Sequence, residues 1–189
     1  MAKLFFPYYI PNLEIIQTEL INLHGHRFEC EKIDSFLIDW NLENFASLYE
    51  FLRPKLKKKY LFIKRARFFI TPPGFFMYPH IDGYEPTSEI YALNIPIIIP
   101  NRDHYHIWYE NYNELIKINS NTYNDCLISS AGENLKIKDR LKLESPHFVQ
   151  IGNLHSVINM SGTPRVILSL RIKFPIDGNI SYESIFENL

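Results

Sequence analysis

The stretch YPHIDGY, residues 78–84, carries His80 and Asp82 two positions apart. In an extended strand, residues i and i+2 project from the same face, so an imidazole and a carboxylate would stand side by side. Such a pair is most of a facial metal site. A third ligand is available in IGNLHSVINMSGTPRVILSLRI, where strand-like residues run into His155, a turn follows, and Arg165 opens the next strand ten residues on. A hairpin there would bring His155 and Arg165 into one pocket. Two histidines and a carboxylate on one face of a metal leave other coordination positions open, which suits non-haem Fe(II). An arginine beside them offers a two-pronged fork to a carboxylate that the metal does not hold.

Positioning these residues takes a β-rich core. From Tyr60 onward, short aromatic and β-branched segments (YLFIKRARFFIT, GFFMYPHID, SEIYALNIPIII, HIWYE, CLISS, PHFVQIG, PRVILSLRIKF) alternate with turn material such as TPPG, PNRD and MSGTP. Strands at this spacing point to a sandwich, a barrel or a jelly roll. The residues before them read as mostly helical. NLEIIQTELINLH places Leu13, Ile16, Leu20 and Leu23 at three- and four-residue intervals behind a capping Asn12, and DWNLENFASLYEFLRPKL repeats the pattern with Pro54 near its end. The expected class is α+β in a single domain: a helical region over 1–59, a β-core over 60–175 and a tail over 176–189.

Composition narrows the function classes. Hydrophobic residues make up 46% and aromatic ones 15% of 189 residues, enough for a folded core. The net charge of −1 gives no molecule-wide attraction for nucleic acid. The only basic run, RPKLKKKY, reads as a solvated helix end whose cations oppose the helix dipole. Cys30 and Cys126 are too few and too far apart for a disulfide framework or a paired-cysteine zinc site. The start MAKLFFPYYIPNLE lacks the apolar run of a signal peptide, and ALNIPIIIP is far too short to span a membrane. The expectation is a cytoplasmic protein without a membrane partner, with a local patch for nucleic acid left open.

HID, then a histidine 73 residues on, then an arginine ten further, resembles the Fe(II)/2-oxoglutarate-dependent dioxygenases. LHSVINMSGTPRVIL and ITPPGFFMYPHIDG are most similar to the aspartyl/asparaginyl β-hydroxylase branch of that superfamily. The resemblance runs from about Arg67 to Phe174. It implies a double-stranded β-helix (jelly-roll, cupin-like) core, with His80, Asp82 and His155 holding iron and acting in catalysis. It also implies 2-oxoglutarate as cosubstrate, with Arg165 on its far carboxylate, and hydroxylation with succinate and CO2 as co-products. Asp82 departs from those branch members that lack the carboxylate, and Asn94 stands where the branch often has histidine.

Other residues take assisting roles on this reading. Asn94, in an apolar strand, needs a hydrogen-bonding partner that the cosubstrate could be. Ser169 and Arg171 share the strand face of Arg165, so they too are assigned to the cosubstrate. Tyr78 is expected on the inward face with His80. Tyr84, Tyr105 and Trp108 are expected to wall the substrate cavity, and Arg67 to reach its mouth. His24, His26, His104, His106 and His147 read as ordinary surface or edge histidines. The rival accounts are a cupin-type metal protein that makes no use of 2-oxoglutarate and a non-catalytic jelly-roll interaction module.

Overall fold

A computed structural model describes residues 3–59, 61–82, 91–110, 115–118, 126–129 and 135–173. The chain forms β1 (Phe5–Pro7), α1 (Leu13–His24), β2 (Asp34–Ile38), α2 (Ala46–Lys58), β3 (Phe62–Thr71), β4 (Phe75–Phe76), β5 (His80–Asp82) and β6 (Tyr91–Ile98). There follow β7 (His104–Glu110), β8 (Leu115–Ile118), β9 (Cys126–Ser129), β10 (Lys136–Leu141), β11 (His147–Gln150), β12 (His155–Asn159) and β13 (Arg165–Lys173). Two antiparallel sheets result. One runs β1-β11-β6-β13-β3-β2, and the other runs β10-β7-β12-β5-β9-β8 with β4 on β12. This is the jelly-roll arrangement that the strand spacing and the resemblance imply.

The first sheet is buried on both faces, and its sequences show why. Along RVILSLR, Val166, Leu168 and Leu170 enter one core cluster while Arg165, Ile167, Ser169 and Arg171 point the other way. Strand β3 does the same, with Ala66, Phe68 and Ile70 opposed to Arg67, Phe69 and Thr71. The apolar face packs on the helices through Ile16 and Leu20 of α1 and Leu48, Leu52 and Leu56 of α2. The mixed face turns toward the second sheet and closes the cavity described below.

The amino-terminal region departs from its expected helical character in four ways. Strands β1 and β2 lie within it and form the two edges of the first sheet; short edge strands take their conformation from the neighbour they pair with. Asn12 lies at φ 53° without a side-chain cap, and its carbonyl instead accepts from the backbone N–H groups of Ile15 and Ile16. The buried stripe of α1 is Ile16, Leu20 and His24, whereas Leu23 is exposed. Helix α2 runs on to Lys58, beyond Pro54. That proline is on the solvent side, where water can satisfy the Glu50 carbonyl left without its N–H partner. No helix among the described residues is long and apolar enough to cross a membrane.

Two turns aim the site strands. The TPPG turn between β3 and β4 closes at Gly74, whose φ of 72° lies in the left-handed region that glycine tolerates. Asn159, fully buried, ties this turn to the one before β13: its Nδ2 donates to the Thr71 and Thr163 carbonyls at 2.9 Å each, and its Oδ1 accepts from Ser161 Oγ at 2.6 Å. Replacing Asn159 with Ala leaves several buried backbone groups unpaired. Asn159→Ala is expected to destabilise the protein by about 2–4 kcal/mol in urea unfolding, whereas Met160→Ala, at an exposed neighbour, should stay within about 0.5 kcal/mol.

Candidate active site

His80 and His155 stand directly opposite each other where β5 pairs with β12. Asp82 follows two residues along β5, and its backbone N–H donates to the Ile151 carbonyl at 3.1 Å, which fixes the strand end. One ligand atom from each of His80, Asp82 and His155 lies within 4.8 Å of the other two. The His80 and His155 ring centroids are 4.4 Å apart, and His80 Nε2 is 3.8 Å from Asp82 Oδ1.

Both histidines are set in the tautomer that a metal needs. His80 Nδ1 is 2.8 Å from the Tyr78 carbonyl, and His155 Nδ1 is 2.8 Å from the Asn153 carbonyl. A carbonyl only accepts, so each Nδ1 carries a proton and each ring turns its Nε2 edge, the one a metal can use, away from that carbonyl. Burial pushes the pKa of His155 down to about 4, so its ring is neutral at pH 7. Burial works against the Asp82 charge, but Arg171, His155, His80 and Arg67 outweigh it and hold the carboxyl below its usual range. The donor set therefore fits a divalent metal: two imidazoles and a carboxylate, convergent and already oriented.

Arg171 is the immediate partner of Asp82. Its Nη2 donates to Asp82 Oδ2 at 2.7 Å, across the gap between the two sheets, and so leaves Oδ1 on the side of His80. The structure thus places Arg171 on the metal-site carboxylate, where the sequence had assigned it to the cosubstrate. Arg67 lies nearby on the same sheet face, with Nη1 3.5 Å from Ser35 Oγ.

Arg165 is different. It is 2% exposed, and neither its Nε nor its Nη2 has a hydrogen-bonding partner among the described residues. Burial lowers its pKa only to about 10, so the guanidinium stays charged. It lines, with Asn94, Ser169 and the three ligand residues, one cleft enclosing about 460 Å³ and continuous with solvent. Asn94 Oδ1 is also buried without a partner, and Asn94 sits beside Ser169 in the register of β6 and β13. Asp82 is the only acidic residue among the described residues that line the cleft, so the space between Arg165 and the triad favours an anion.

The aromatic assignments fare differently. Tyr78 is 66% exposed and packs edge-on against Phe76, so it faces away from His80; it lies ahead of β5, where strand alternation does not yet govern it. Tyr105 sits on the opposite face of β7 from His106 and takes Arg140 over its ring. Trp108 is fully buried in core with its Nε1–H donating to the Gln150 carbonyl at 2.8 Å, so it supports the interior without lining the cleft. Tyr84 falls outside the described residues.

Three of the histidines read as peripheral are not; one is His24, buried on α1 with its ring 5.4 Å from that of Phe68. His104 and His106 are buried on the inner face of β7, and His106 lines the cleft. The signal lay in HYHIW, where His104, His106 and Trp108 alternate with period two; their burial depends on the pairing of β7 with β12, which no local pattern reveals. Burial also lowers the pKa of His104 to about 4.

No protein-family model matches the chain, and no curated protein matches it. Solved structures do. The viral collagen prolyl hydroxylase vCPH from Paramecium Bursaria Chlorella virus-1, in a 2OG complex, aligns at a TM-score of 0.54 and 12% identity over 90% of this chain and 96% of that one. The epimerase SnoN, in complex with Fe3+, alpha ketoglutarate and nogalamycin RO, aligns at a TM-score of 0.59 and 12% identity over 89% of this chain and 77% of that one. At such identities the likeness establishes the fold, a double-stranded β-helix.

The histidine shifts set a pH dependence for the metal-free protein. Between pH 6.5 and about 4 the unfolded chain binds protons at His104 and His155 that the folded protein refuses, so stability is full above pH 6.5 and falls as the medium is acidified. Each group contributes up to about 3 kcal/mol to the loss. Urea unfolding at pH 7.0 and pH 4.5 should show the decline, and His104→Gln, which cannot titrate, should shrink it.

Proposed function

We propose that this protein is an Fe(II)- and 2-oxoglutarate-dependent oxygenase that hydroxylates a C–H bond of a small molecule, an amino acid or a peptide side chain. One observation carries the reading: the charged Arg165, whose Nε and Nη2 have no hydrogen-bonding partner among the described residues, shares a cleft with the His80, Asp82 and His155 triad. A metal-binding protein without a dicarboxylate to hold has no use for a desolvated guanidinium there, and an uncompensated buried charge is costly. The SnoN and vCPH structures, solved with alpha ketoglutarate and 2OG respectively, support the reading by their shared fold.

On this account each residue has a task that its surroundings already fit. His80 and His155 offer Nε2, and Asp82 offers Oδ1, to one metal ion, which leaves other positions for ligands. Arg165 grips the carboxylate of 2-oxoglutarate remote from the metal through its free Nε and Nη2. Ser169 lies on the same strand face, and Asn94 Oδ1 supplies an acceptor for a donor on a bound molecule or water. Arg171 holds Asp82 in place, so that the ligand set does not have to reorganise when metal enters. Iron and 2-oxoglutarate, when bound, supply the activation of O2 and the oxidative decarboxylation to succinate and CO2 that an unreactive C–H bond requires. The chain's share is orientation of the bound groups in the cleft between the two sheets.

The test is formation of succinate from 2-oxoglutarate by the wild-type protein with Fe(II) and O2, beside 2-oxoglutarate affinities measured anaerobically. Arg165→Ala should weaken 2-oxoglutarate binding by about 2–4 kcal/mol and leave metal affinity unchanged. Equal affinity in the variant and the wild type would remove Arg165 from the site. Failure of the wild type to bind 2-oxoglutarate in the presence of metal would return the account to a metal protein of cupin type.

A further inference from the structure

His106 has no role in the account so far, yet it is placed as if it had one. The residue is 3% exposed, and neither ring nitrogen has a hydrogen-bonding partner among the described residues. A neutral imidazole carries one N–H donor and one acceptor, and leaving both unmet in a protein interior is unfavourable. The neighbouring rings cannot help. On one side His155 stacks at 4.7 Å and 12°, with its Nδ1 engaged by the Asn153 carbonyl and its Nε2 facing the triad. On the other side Trp108 lies at 4.4 Å with its Nε1–H spent on the Gln150 carbonyl. The two rings clamp His106 in place and offer it nothing to bond.

The place itself is informative. His106 is opposite Val157 in the β7–β12 register, next along the inner face from His155, and its ring lines the same cleft as the triad, Arg165 and Asn94. A molecule bound in that cleft has His106 in its wall together with the triad and Arg165. All the oxygens of a 2-oxo dicarboxylate are acceptors, so the complement it needs at this point is a donor.

Resting on the function proposed above, we infer that His106 is a positioning residue for the cosubstrate, donating a ring N–H to a carboxylate oxygen of the 2-oxo acid held between the metal and Arg165. The sandwich of His155 and Trp108 fixes the direction of that N–H before the cosubstrate arrives, so binding requires no further ordering of the side chain. The role is separate from metal ligation, which the His80, Asp82 and His155 atoms supply among themselves.

Calorimetric titration without O2 tests this, using Mn(II) in place of iron and then 2-oxoglutarate on the Mn(II)-loaded protein. His106→Leu should keep the Mn(II) dissociation constant within about twofold of wild type and weaken 2-oxoglutarate binding by about tenfold or more. His106→Gln, whose amide retains an N–H of similar reach, should recover much of that loss; it also serves if the leucine variant fails to fold. Wild-type 2-oxoglutarate affinity in His106→Leu would overturn the inference and leave the proposed function standing. Loss of Mn(II) affinity in both variants would make His106 a metal-site residue and overturn it likewise. A wild-type protein that binds Mn(II) but not 2-oxoglutarate would bring down the proposed function and this inference together.

Discussion

Strand β13 is buried on both faces while half of its residues are polar, and much of the molecule follows from that constraint. Val166, Leu168 and Leu170 satisfy one face by joining the core beneath the helices. The other face carries Arg165, Ser169 and Arg171 into the space between the sheets, where polar groups have to be bonded or charged groups matched. Arg171 finds Asp82 at 2.7 Å on the opposite sheet. Arg165 finds nothing for its Nε and Nη2, and that imbalance is what distinguishes a binding site from a core. The helices matter here because they seal the apolar face, so the strand cannot relieve the imbalance by turning over.

The second sheet brings the complementary half. Pairing His80 with His155 across β5 and β12 places two imidazoles on one spot, and the carbonyls of Tyr78 and Asn153 decide which nitrogen each presents. The carbonyls are local, each two residues before its histidine, but the pairing is not available to a single strand. The candidate metal ligands are thus a property of the second sheet and the Arg165 guanidinium a property of the first, and the cavity exists because the two sheets face each other. Asn159 joins these halves mechanically, since its one amide bonds to backbone at the end of β3 and in the turn that launches β13.

What could be read from the sequence was what depends on local period and order. His80 and Asp82 stand two apart in extended chain, His155 and Arg165 flank a turn, and alternation along RVILSLR marks an inward face. The strand-rich region beyond residue 60 came from the same local signals, which left sandwich, barrel and jelly roll open; the jelly-roll class came from the resemblance. What depends on long-range pairing was out of reach. Strands β1 and β2 are too short to assert themselves and are held by their sheet neighbours, β1 by β11 and β2 by β3. His104 and His106 follow a turn and look peripheral until β7 is laid against β12. Arg171 could be assigned to the inner face but not to Asp82, because its partner is 89 residues away on the other sheet. Tyr78 was misread because alternation was extended beyond the strand that enforces it.

The central claim is that one cavity binds a metal at the triad and an anion at Arg165 in a single complex. A crystal structure of the protein with Mn(II) and 2-oxoglutarate, grown without O2, measures this directly. The account predicts metal density contacted by Nε2 of His80, Nε2 of His155 and an oxygen of Asp82, with the remote carboxylate of the same 2-oxoglutarate molecule on Arg165. Metal bound elsewhere, or 2-oxoglutarate bound at the metal with Arg165 still without a partner, would contradict it.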